Sequence, residues 1–163
     1  MAWAWVRPAD PALLQGRPLL DLGTGDGATI RRLAGLAVGL DRSAQALRTA
    51  GGGRLVRGVA EDQPFADGSF SVVVAGDLFH HLDDAALGRT LEEIRRVLRP
   101  DGRLLAWWYE RASRGGPDAP MHPRPFAVVD AIAAAKGFAT DRLALEFTIE
   151  PAPATVGLIA EPN

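Results

Sequence analysis

The chain contains no cysteine among its 163 residues. This absence excludes disulfide bonds, metal sites built on thiolates, cysteine-ligated iron–sulfur clusters and a cysteine nucleophile. No apolar run approaches the roughly 20 residues that a membrane-spanning helix requires. Residues 1–8 lack a basic segment followed by an apolar block, so no signal peptide is predicted. The sequence therefore predicts a cytoplasmic protein that is not embedded in a membrane.

An excess of charge of either sign is also missing, since the formal net charge is −2 at pH 7. That balance argues against broad binding of a nucleic-acid backbone. Apolar residues make up 47% of the chain and charged residues 23%, which is ordinary for a globular protein. The length predicts a single domain over residues 1–163, and we predict no metal site.

Strand-like and helix-like segments alternate along most of the chain. This order favours an α/β fold with a parallel sheet between helices. Residues 1–18 form a short N-terminal segment ahead of the first strand, and residues 110–125 are rich in Gly, Pro and Arg and predict a flexible loop. The predicted strands are 19–22, 36–41, 54–59, 69–75, 103–108, 143–149 and 155–160, and the predicted helices are 28–34, 43–50, 83–98 and 126–136.

The segment LLDLGTGDG at residues 19–27 is the most informative part of the sequence. An apolar strand ends in a carboxylate and then gives way to glycine at every second position. Glycine tolerates positive φ and has no β-carbon to hold a ligand away. The helix that follows directs its free N–H groups into the turn. A strand, a glycine turn and a helix start together predict a site for a nucleotide-type cofactor.

Three acids bear on which cofactor is bound. Asp41 ends the second strand, where a carboxylate can accept both ribose hydroxyls of either a nicotinamide cofactor or a methyl donor. Asp21 lies directly before the glycine turn and Asp26 inside it. Both acids would repel a pyrophosphate, whereas Asp21 would attract the ammonium group of a methionine moiety. The electrostatics therefore favour a cationic ligand.

Five ordered blocks resemble the class I S-adenosylmethionine-dependent methyltransferases, of the small type similar to the ubiquinone-biosynthesis methyltransferases. The blocks are LDLGTGDG at 20–27, GLDRS at 39–43, AEDQPFADGSF at 60–70, FHHL at 79–82 and EIRRVLRPDGRL at 93–104. The resemblance implies a three-layer, Rossmann-like, doubly wound sheet of seven strands, of which only the last is antiparallel. It also implies S-adenosylmethionine as the cofactor, lying over the carboxyl ends of the first strands.

The resemblance implies a set of cofactor-binding residues. Many relatives carry Asp at the position of Val59, where it contacts the adenine amino group; here that contact is lost or passes to Asp62 or to a backbone carbonyl. The Ala60 N–H is expected to face an adenine ring nitrogen, and the Arg42 guanidinium can stack on the ring. The full set is Asp21, Gly23, Thr24, Gly25, Asp26, Gly27, Asp41, Arg42, Ala60, Glu61, Asp62 and Ala75.

His80 and His81 follow the fourth strand, where the methyl group should emerge. An imidazole with a pKa near its usual ~6.5 would suit removal of a proton from a hydroxyl acceptor. A histidine pair at this junction can equally serve in packing or capping. Asp77 either steers a substrate or is a solvated turn acid. Trp108 or Tyr109 reaches the acceptor pocket in this interpretation.

The sequence ahead of the first strand is short compared with relatives, which usually place several helices there. Trp3 and Trp5 supply most of its bulk. Either the site is open, or a partner, a second subunit forming a homodimer, or the 110–125 loop closes it. We expect a methyltransferase acting on a small-molecule acceptor, with O-methylation ahead of N- or C-methylation. The alternatives are a catalytically silent cofactor-binding subunit or regulator and a nicotinamide-dependent oxidoreductase.

Overall fold

The computed structural model describes residues 6–15, 18–32, 37–51, 53–110, 121–143, 145–147 and 155–163. The strands are β1 Val6–Pro8, β2 Leu19–Leu22, β3 Ala37–Asp41, β4 Arg54–Arg57, β5 Phe70–Gly76, β6 Leu98–Tyr109, β7 Phe138–Arg142, β8 Leu145–Phe147 and β9 Thr155–Pro162. The α-helices are α1 Ala28–Arg32, α2 Ala44–Ala50, α3 Asp84–Val97 and α4 Phe126–Ala135, with 3₁₀ turns at Pro11–Leu14 and Phe79–His81.

Seven strands form one sheet in the order β4-β3-β2-β5-β6-β9-β7. Strand β9 runs antiparallel to both of its neighbours, and the other pairings in this sheet are parallel. The predicted fold class, a mostly parallel seven-stranded sheet with an antiparallel last strand, is confirmed.

Side chains on the two faces of the sheet belong to two separate clusters. On one face, Ile30 of α1 packs with Leu19, Val72 and Leu105, joined by Leu13 and Leu14 of the first 3₁₀ turn. On the other face, Leu87, Leu91 and Ile94 of α3 and Val129 of α4 pack against the sheet with Leu20, Val73 and Leu104. Alternation of side chains along each strand produces these two faces. The sheet is thus the middle of three layers.

The strand order reverses between β2 and β5. The chain leaves β2 toward β3 and β4 and then returns to the opposite side of β2 with β5. In open parallel sheets a crevice forms at such a switch point, outside the carboxyl ends of the strands. The glycine turn after β2, the acid that ends β3 and the 3₁₀ turn after β5 therefore lie at one edge of the sheet.

The predicted strand 143–149 is confirmed over Leu145–Phe147, which form β8, but β8 pairs with β1 in a separate two-stranded sheet. The seventh strand of the main sheet is β7, which the sequence analysis did not predict and which pairs with β9 from Phe138 opposite Pro162 to Arg142 opposite Leu158. Leu143 lies between β7 and β8 and is buried, with its amide donating to the Gly157 carbonyl at 3.0 Å.

Smaller differences concern element ends. Residues 99–102, between the predicted helix 83–98 and the predicted strand 103–108, lie in β6, whose pairing with β5 shifts register between Phe70 and Val72. Strand β4 ends at Arg57, and Val59 makes an isolated bridge with Asp62 instead. Trp3, Trp5 and residues 111–120 lie outside the described residues. Among the described residues, no helix has the length and apolar character needed to cross a membrane.

Candidate functional site

The glycine turn after β2 is built from three residues with positive φ. Gly23, Gly25 and Gly27 have φ of 75°, 53° and 77°. The amides of Gly23 and Thr24 both donate to the Leu40 carbonyl, at 2.8 and 3.1 Å, which ties the turn to the end of β3. Alternate glycines are therefore required by the backbone, as the sequence pattern indicates.

Two of these glycines face different surroundings. A β-carbon at Gly27 would lie 2.8 Å from both the Cβ and the carbonyl oxygen of Ala50, so this position packs against α2. A β-carbon at Gly25 would find only the Gly23 carbonyl oxygen, at 3.9 Å. Gly25 thus borders open space. The turn has one glycine for packing and one for close approach of a ligand.

Asp21 lies at the end of β2 and is 3% exposed. Its Oδ2 accepts a hydrogen bond from the Thr24 hydroxyl at 2.7 Å. Burial raises the pKa of this carboxyl to about 7, the negative charge of Asp41 adds to the rise, and the Thr24 bond opposes it. A cation bound at the turn would favour the ionised carboxylate. Asp21 is therefore suited to a positively charged ligand.

Asp41 joins the turn to the next helix. Its Oδ2 accepts from the Gly25 amide at 2.9 Å, and its Oδ1 accepts from the Ser43 amide at 2.8 Å. Each carboxylate oxygen keeps further capacity to accept a hydrogen bond. The side chain is half-buried at the edge of the crevice, so a diol in the crevice can donate to it.

Asp26 lies inside the turn, as predicted, but its side chain is directed to solvent. Its carboxylate is 64% exposed, 3.9 Å from the Arg31 guanidinium, and accepts from the Ala28 amide at 3.1 Å. Asp and Asn commonly bond to backbone amides at the start of a helix in this way. Asp26 therefore caps α1, and the electrostatic argument against a pyrophosphate rests on Asp21.

The segment 59–62 forms the next side of the crevice in the sequence-based interpretation. Ala60 is buried, Glu61 half-buried and Asp62 exposed, while Val59 is 43% exposed. The Gln63 side-chain amide donates to the Ala60 carbonyl at 3.1 Å and so holds this turn closed. Arg42, after β3, is exposed.

Arg96 fixes the segment that follows, a role that the sequence analysis missed. Its guanidinium donates to the Gln63 and Phe65 carbonyls at 2.9 and 2.7 Å and pairs with Glu93 and Asp67 at 2.7 and 2.9 Å. A spacing of three residues on a helix permits the Glu93 pair. The bonds to the two loop carbonyls could not be predicted, because any residue supplies a backbone carbonyl and the sequence therefore does not identify it as a partner.

On the acceptor side, Asp77 follows β5 in a left-handed backbone conformation, with φ of 56°. Its amide donates to the Trp107 carbonyl at 2.9 Å, and the polar Trp107 side chain lies near enough to lower the pKa of its carboxyl. Oδ1 is buried without a hydrogen-bond partner. Burial raises the pKa of this carboxyl to about 6, against the effect of the Trp107 side chain.

The two histidines occupy different environments. His80 is 2% exposed, and its Nδ1 accepts from the Tyr109 amide at 3.3 Å, which places the proton of the neutral ring on Nε2. Burial, helped by His81, lowers the pKa of His80 to about 4. His81 is exposed, and partial burial of its ring together with the charge of Arg42 lowers its pKa.

The aromatic residues at the end of β6 also differ in burial. Trp108 is fully buried beside Phe79 and Phe126, and its indole N–H donates to the Arg124 carbonyl at 2.9 Å. Tyr109 is half-buried, with its ring centroid 4.7 Å from that of His80. Of the two candidates for the acceptor pocket, Tyr109 lies with the histidines and Trp108 lies in the core.

Arg124 is the second functional position that the sequence analysis missed. It is 6% exposed and donates to the Phe79 and Leu82 carbonyls, at 3.1 and 2.7 Å, and to the Asp84 carboxylate. These bonds hold the 3₁₀ turn that carries both histidines against the start of α3. The prolines at 123 and 125 on either side of Arg124 indicate a loop, and a loop arginine is normally expected to be exposed.

Comparisons with known proteins give the same family. Residues 20–106, more than half of the chain, match the family described as a methyltransferase domain. A protein of Encephalitozoon cuniculi that is named as a methyltransferase is 38% identical over 93 residues, covering 55% of this chain and 43% of its own length. The chain thus spans less than half the length of that relative.

Two solved structures share the fold. A S-adenosylmethionine-dependent methyltransferase of Archaeoglobus fulgidus superposes with a TM-score of 0.75 at 16% identity, over 93% of this chain and 88% of its own. A methyltransferase of Haloferax volcanii, solved in complex with the methyltransferase activator Trm112, gives a TM-score of 0.73 at 21% identity, over 93% and 87% of the two chains.

Proposed function

The chain belongs to the methyltransferase domain family, and from this premise we propose that it transfers the methyl group of S-adenosylmethionine to a hydroxyl oxygen of a small molecule. The observation that carries the proposal is the glycine turn between Asp21 and Asp41. Gly25 borders open space there, a half-buried carboxylate lies to one side, and a buried carboxyl poised to ionise lies beneath.

S-adenosylmethionine is the cofactor that goes with this family, and the residues at the turn fit it. Its ribose offers two hydroxyl donors, which match the accepting capacity of Asp41. Its methionine end carries a cation, which matches Asp21. When bound, it supplies a methyl group that is already activated on a positively charged sulfur.

The chain's own residues divide the binding work in this proposal. The backbone of Gly23, Thr24, Gly25 and Gly27 lies against the cofactor, with Asp26 capping the helix behind them. Ala60, Glu61 and Asp62 border the adenine, with Arg42 near its face and Ala75 at the end of β5. The hydrogen bonds of Arg96 and Gln63 support the adenine side, because they fix the loop that carries these residues.

The preference for a hydroxyl acceptor rests on the groups beyond β5. A hydroxyl must lose its proton during methyl transfer, so a proton-accepting group has to lie nearby. Of the predicted pair, His80 is held neutral with its Nδ1 engaged, which leaves His81 as the histidine with an exposed ring. The proposal therefore keeps His81 as a candidate base and gives His80 a positioning role.

A partner or second subunit that covers the acceptor side is part of the proposal. The Haloferax relative in fold is solved with an activator protein, and His81 and Val59 are exposed on this chain. The molar mass from light scattering, measured with S-adenosylhomocysteine present, tests whether the protein is a homodimer. If the measured mass is that of a monomer, the homodimer is excluded, and co-purification would then test for an activator protein as the partner.

The activity is tested by incubating the purified protein with S-adenosylmethionine and separate phenol, alcohol and amine mixtures. We expect a methyl ether and an equal amount of S-adenosylhomocysteine, detected by mass spectrometry. Cofactor binding without a methylated product from any mixture would indicate a catalytically silent subunit. Enhanced fluorescence of NADH on titration would indicate a nicotinamide site instead.

A further inference from the structure

Asp77 carries a polar atom that the fold leaves unsatisfied. Its Oδ1 is buried and has no hydrogen-bond partner among the described residues. An unsatisfied buried acceptor is costly, and a carboxylate more so. The missing donor can come from a bound molecule.

The backbone at Asp77 is also unusual. It is the one non-glycine residue with positive φ in the part of the chain that the structure describes. Such conformations cost of order 1 kcal/mol and collect at functional sites. Here the turn is held by the Asp77 amide, which donates to the Trp107 carbonyl at 2.9 Å. The fold therefore retains an acid at a position where a glycine would be less strained.

Asp77 lies beside the cofactor turn. Leu78, the next residue, is so close to Gly23 that a β-carbon on the glycine would lie 3.1 Å from its Cδ1. On the other side, Tyr109 is close enough for the charge of Asp77 to raise the pKa of its phenol, in addition to the effect of burial. Asp77 thus stands between the glycine turn and the aromatic side chains that follow β5 and β6.

The neighbouring rings form a row on this side of the crevice. His81, His80 and Tyr109 follow each other with centroid separations of 4.3 and 4.7 Å. A planar aromatic acceptor can stack against such rings. Neither ring nitrogen of His80 offers a free basic site at neutral pH, since Nδ1 accepts from Tyr109 and Nε2 carries the proton.

We propose that Asp77 is the catalytic base of the reaction and that the acceptor is a phenol, whose hydroxyl donates its hydrogen bond to the Asp77 carboxylate. This inference rests on the proposed methyl transfer and names its substrate class. The terminal torsion of an aspartate is soft, so the carboxylate can turn toward the incoming hydroxyl.

The step balances with the groups named. The phenol oxygen forms a bond to the methyl carbon while the carbon–sulfur bond of bound S-adenosylmethionine breaks, and that electron pair stays on sulfur. The phenol proton passes to Asp77 and then to solvent. A carboxyl with a pKa near 6 is matched to a phenol better than to an aliphatic alcohol, because base catalysis weakens as the acidities diverge.

Asp77→Asn is the variant that tests this step. Asparagine tolerates positive φ and has nearly the same size and shape as aspartate, so the backbone and the packing are retained while the negative charge is removed. Asp101→Asn, at an exposed position in β6, is the matched control, and His81→Gln tests the rival base. Melting curves of all three variants check that the fold is unchanged.

The rate assay uses 4-methylphenol, phenol and 4-nitrophenol, which differ in acidity. With Asp77→Asn we expect a fall in kcat of roughly a hundredfold for the two weaker acids. The fall should be less than about tenfold for 4-nitrophenol, because about half of it is already phenolate at neutral pH and the remaining phenol is a much stronger acid than the other two. Asp101→Asn should keep wild-type rates.

A binding assay gives a readout that does not require turnover. Calorimetry of phenol with the S-adenosylhomocysteine complex should show binding roughly tenfold weaker in Asp77→Asn than in wild type, while the affinity for S-adenosylhomocysteine itself stays the same.

Four outcomes would overturn the inference while leaving methyl transfer in place. They are an equal fall for all three phenols, unchanged phenol binding in Asp77→Asn, loss of the acidity dependence in His81→Gln alone, and methylation of amines with no phenol bound. Failure of wild-type protein to bind S-adenosylhomocysteine would instead contradict the proposed function.

Discussion

Burial shifts the pKa of several side chains around the crevice, and the direction follows from the charge that each would carry. Asp21 and Asp77 are raised, to about 7 and about 6, because their ionised forms are negative and poorly solvated. His80 is lowered to about 4, because its ionised form is positive. The site therefore holds both acids close to the pH range in which proteins work.

Asp21 makes the stability of the ligand-free protein depend on pH. Its pKa is about 7 when folded and 3.8 when unfolded, so between these values the folded state holds a proton that the unfolded state has lost. Stability then falls as pH rises through this window and is constant above it. The variant Asp21→Asn removes this dependence.

We expect the stability of Asp21→Asn relative to wild type to increase by roughly 2 kcal/mol between pH 5 and pH 7 and then to level off. Urea unfolding at pH 5, 6, 7 and 8 measures it. Contributions from Asp77 and His80 are common to both proteins and cancel in the difference. Parallel stability curves for the two proteins would show that Asp21 is ionised in the folded state.

Single residues were predicted from sequence to the extent that their role is local. The glycines of the turn and the acids Asp21 and Asp41 follow from strand, turn and helix chemistry alone. Other features depend on tertiary contacts. The pairing of Arg96 and the burial of Arg124 involve partners 29 to 45 residues away, and the direction of the Asp26 side chain has no sequence signal either. Helical spacing would also allow Glu92 to pair with Arg96, but Glu92 pairs with Lys136 at 2.5 Å, 44 residues away.

At the scale of elements, the glycines of the turn meet two different requirements, close packing at Gly27 and room for a ligand at Gly25, which the sequence motif does not distinguish. Gly27→Ala would place its β-carbon 2.8 Å from Ala50 at a φ of 77°, so we expect a loss of stability of about 2 kcal/mol or more. Gly25→Ala adds only backbone strain, of about 1 kcal/mol, because its β-carbon meets open space.

The two substitutions should affect ligand affinity in the opposite order, with the larger effect at Gly25. Gly25→Ala is expected to weaken binding of S-adenosylhomocysteine roughly tenfold or more, because the new methyl group occupies the surface the ligand approaches. Thermal melts and calorimetry on both variants provide the comparison. Equal affinities for Gly25→Ala and wild type would mean that the ligand does not approach this side of the turn.

The 3₁₀ turn after β5 depends on Arg124, a side chain 42 and 45 residues further along the chain than the carbonyls it bonds. Replacing Arg124 by alanine removes the donors to the Phe79 and Leu82 carbonyls. We expect a loss of about 2–4 kcal/mol in stability by urea unfolding. Arg89→Ala, at an exposed position of α3, should change it by less than about 0.5 kcal/mol. Similar losses in the two variants would contradict the assigned role of Arg124.

Elements were predicted well where a buried parallel strand or an amphipathic helix has a strong pattern, as in β5 and α3. The C-terminal strands were placed less well. Pairing of β7 with β9 and of β8 with β1 is decided by contacts across the chain, and alternation at residues 143–149 does not distinguish between them.

For the whole molecule, the alternation of strands and helices indicates the layered α/β architecture. It does not determine the switch point, because residues 58–69 place no α-helix between β4 and β5 and the pairing of β5 with the other side of β2 is set by tertiary contacts. The residues proposed to bind the cofactor follow the first strands and could be predicted from sequence. The residues proposed to face the acceptor come together through tertiary hydrogen bonds, and they are Asp77, His80, Tyr109 and the segment around Arg124.

The central claim is that the glycine turn between Asp21 and Asp41 binds S-adenosylmethionine. Isothermal titration of S-adenosylhomocysteine into wild type, Asp41→Asn and the control Asp101→Asn tests it most directly. We predict one-site binding to wild type and Asp101→Asn, and an affinity roughly tenfold or more weaker in Asp41→Asn, since hydrogen bonds to a charged acceptor contribute about 1.5–3 kcal/mol. Absence of heat with the wild-type protein at millimolar ligand, or equal affinity in all three proteins, would contradict the account.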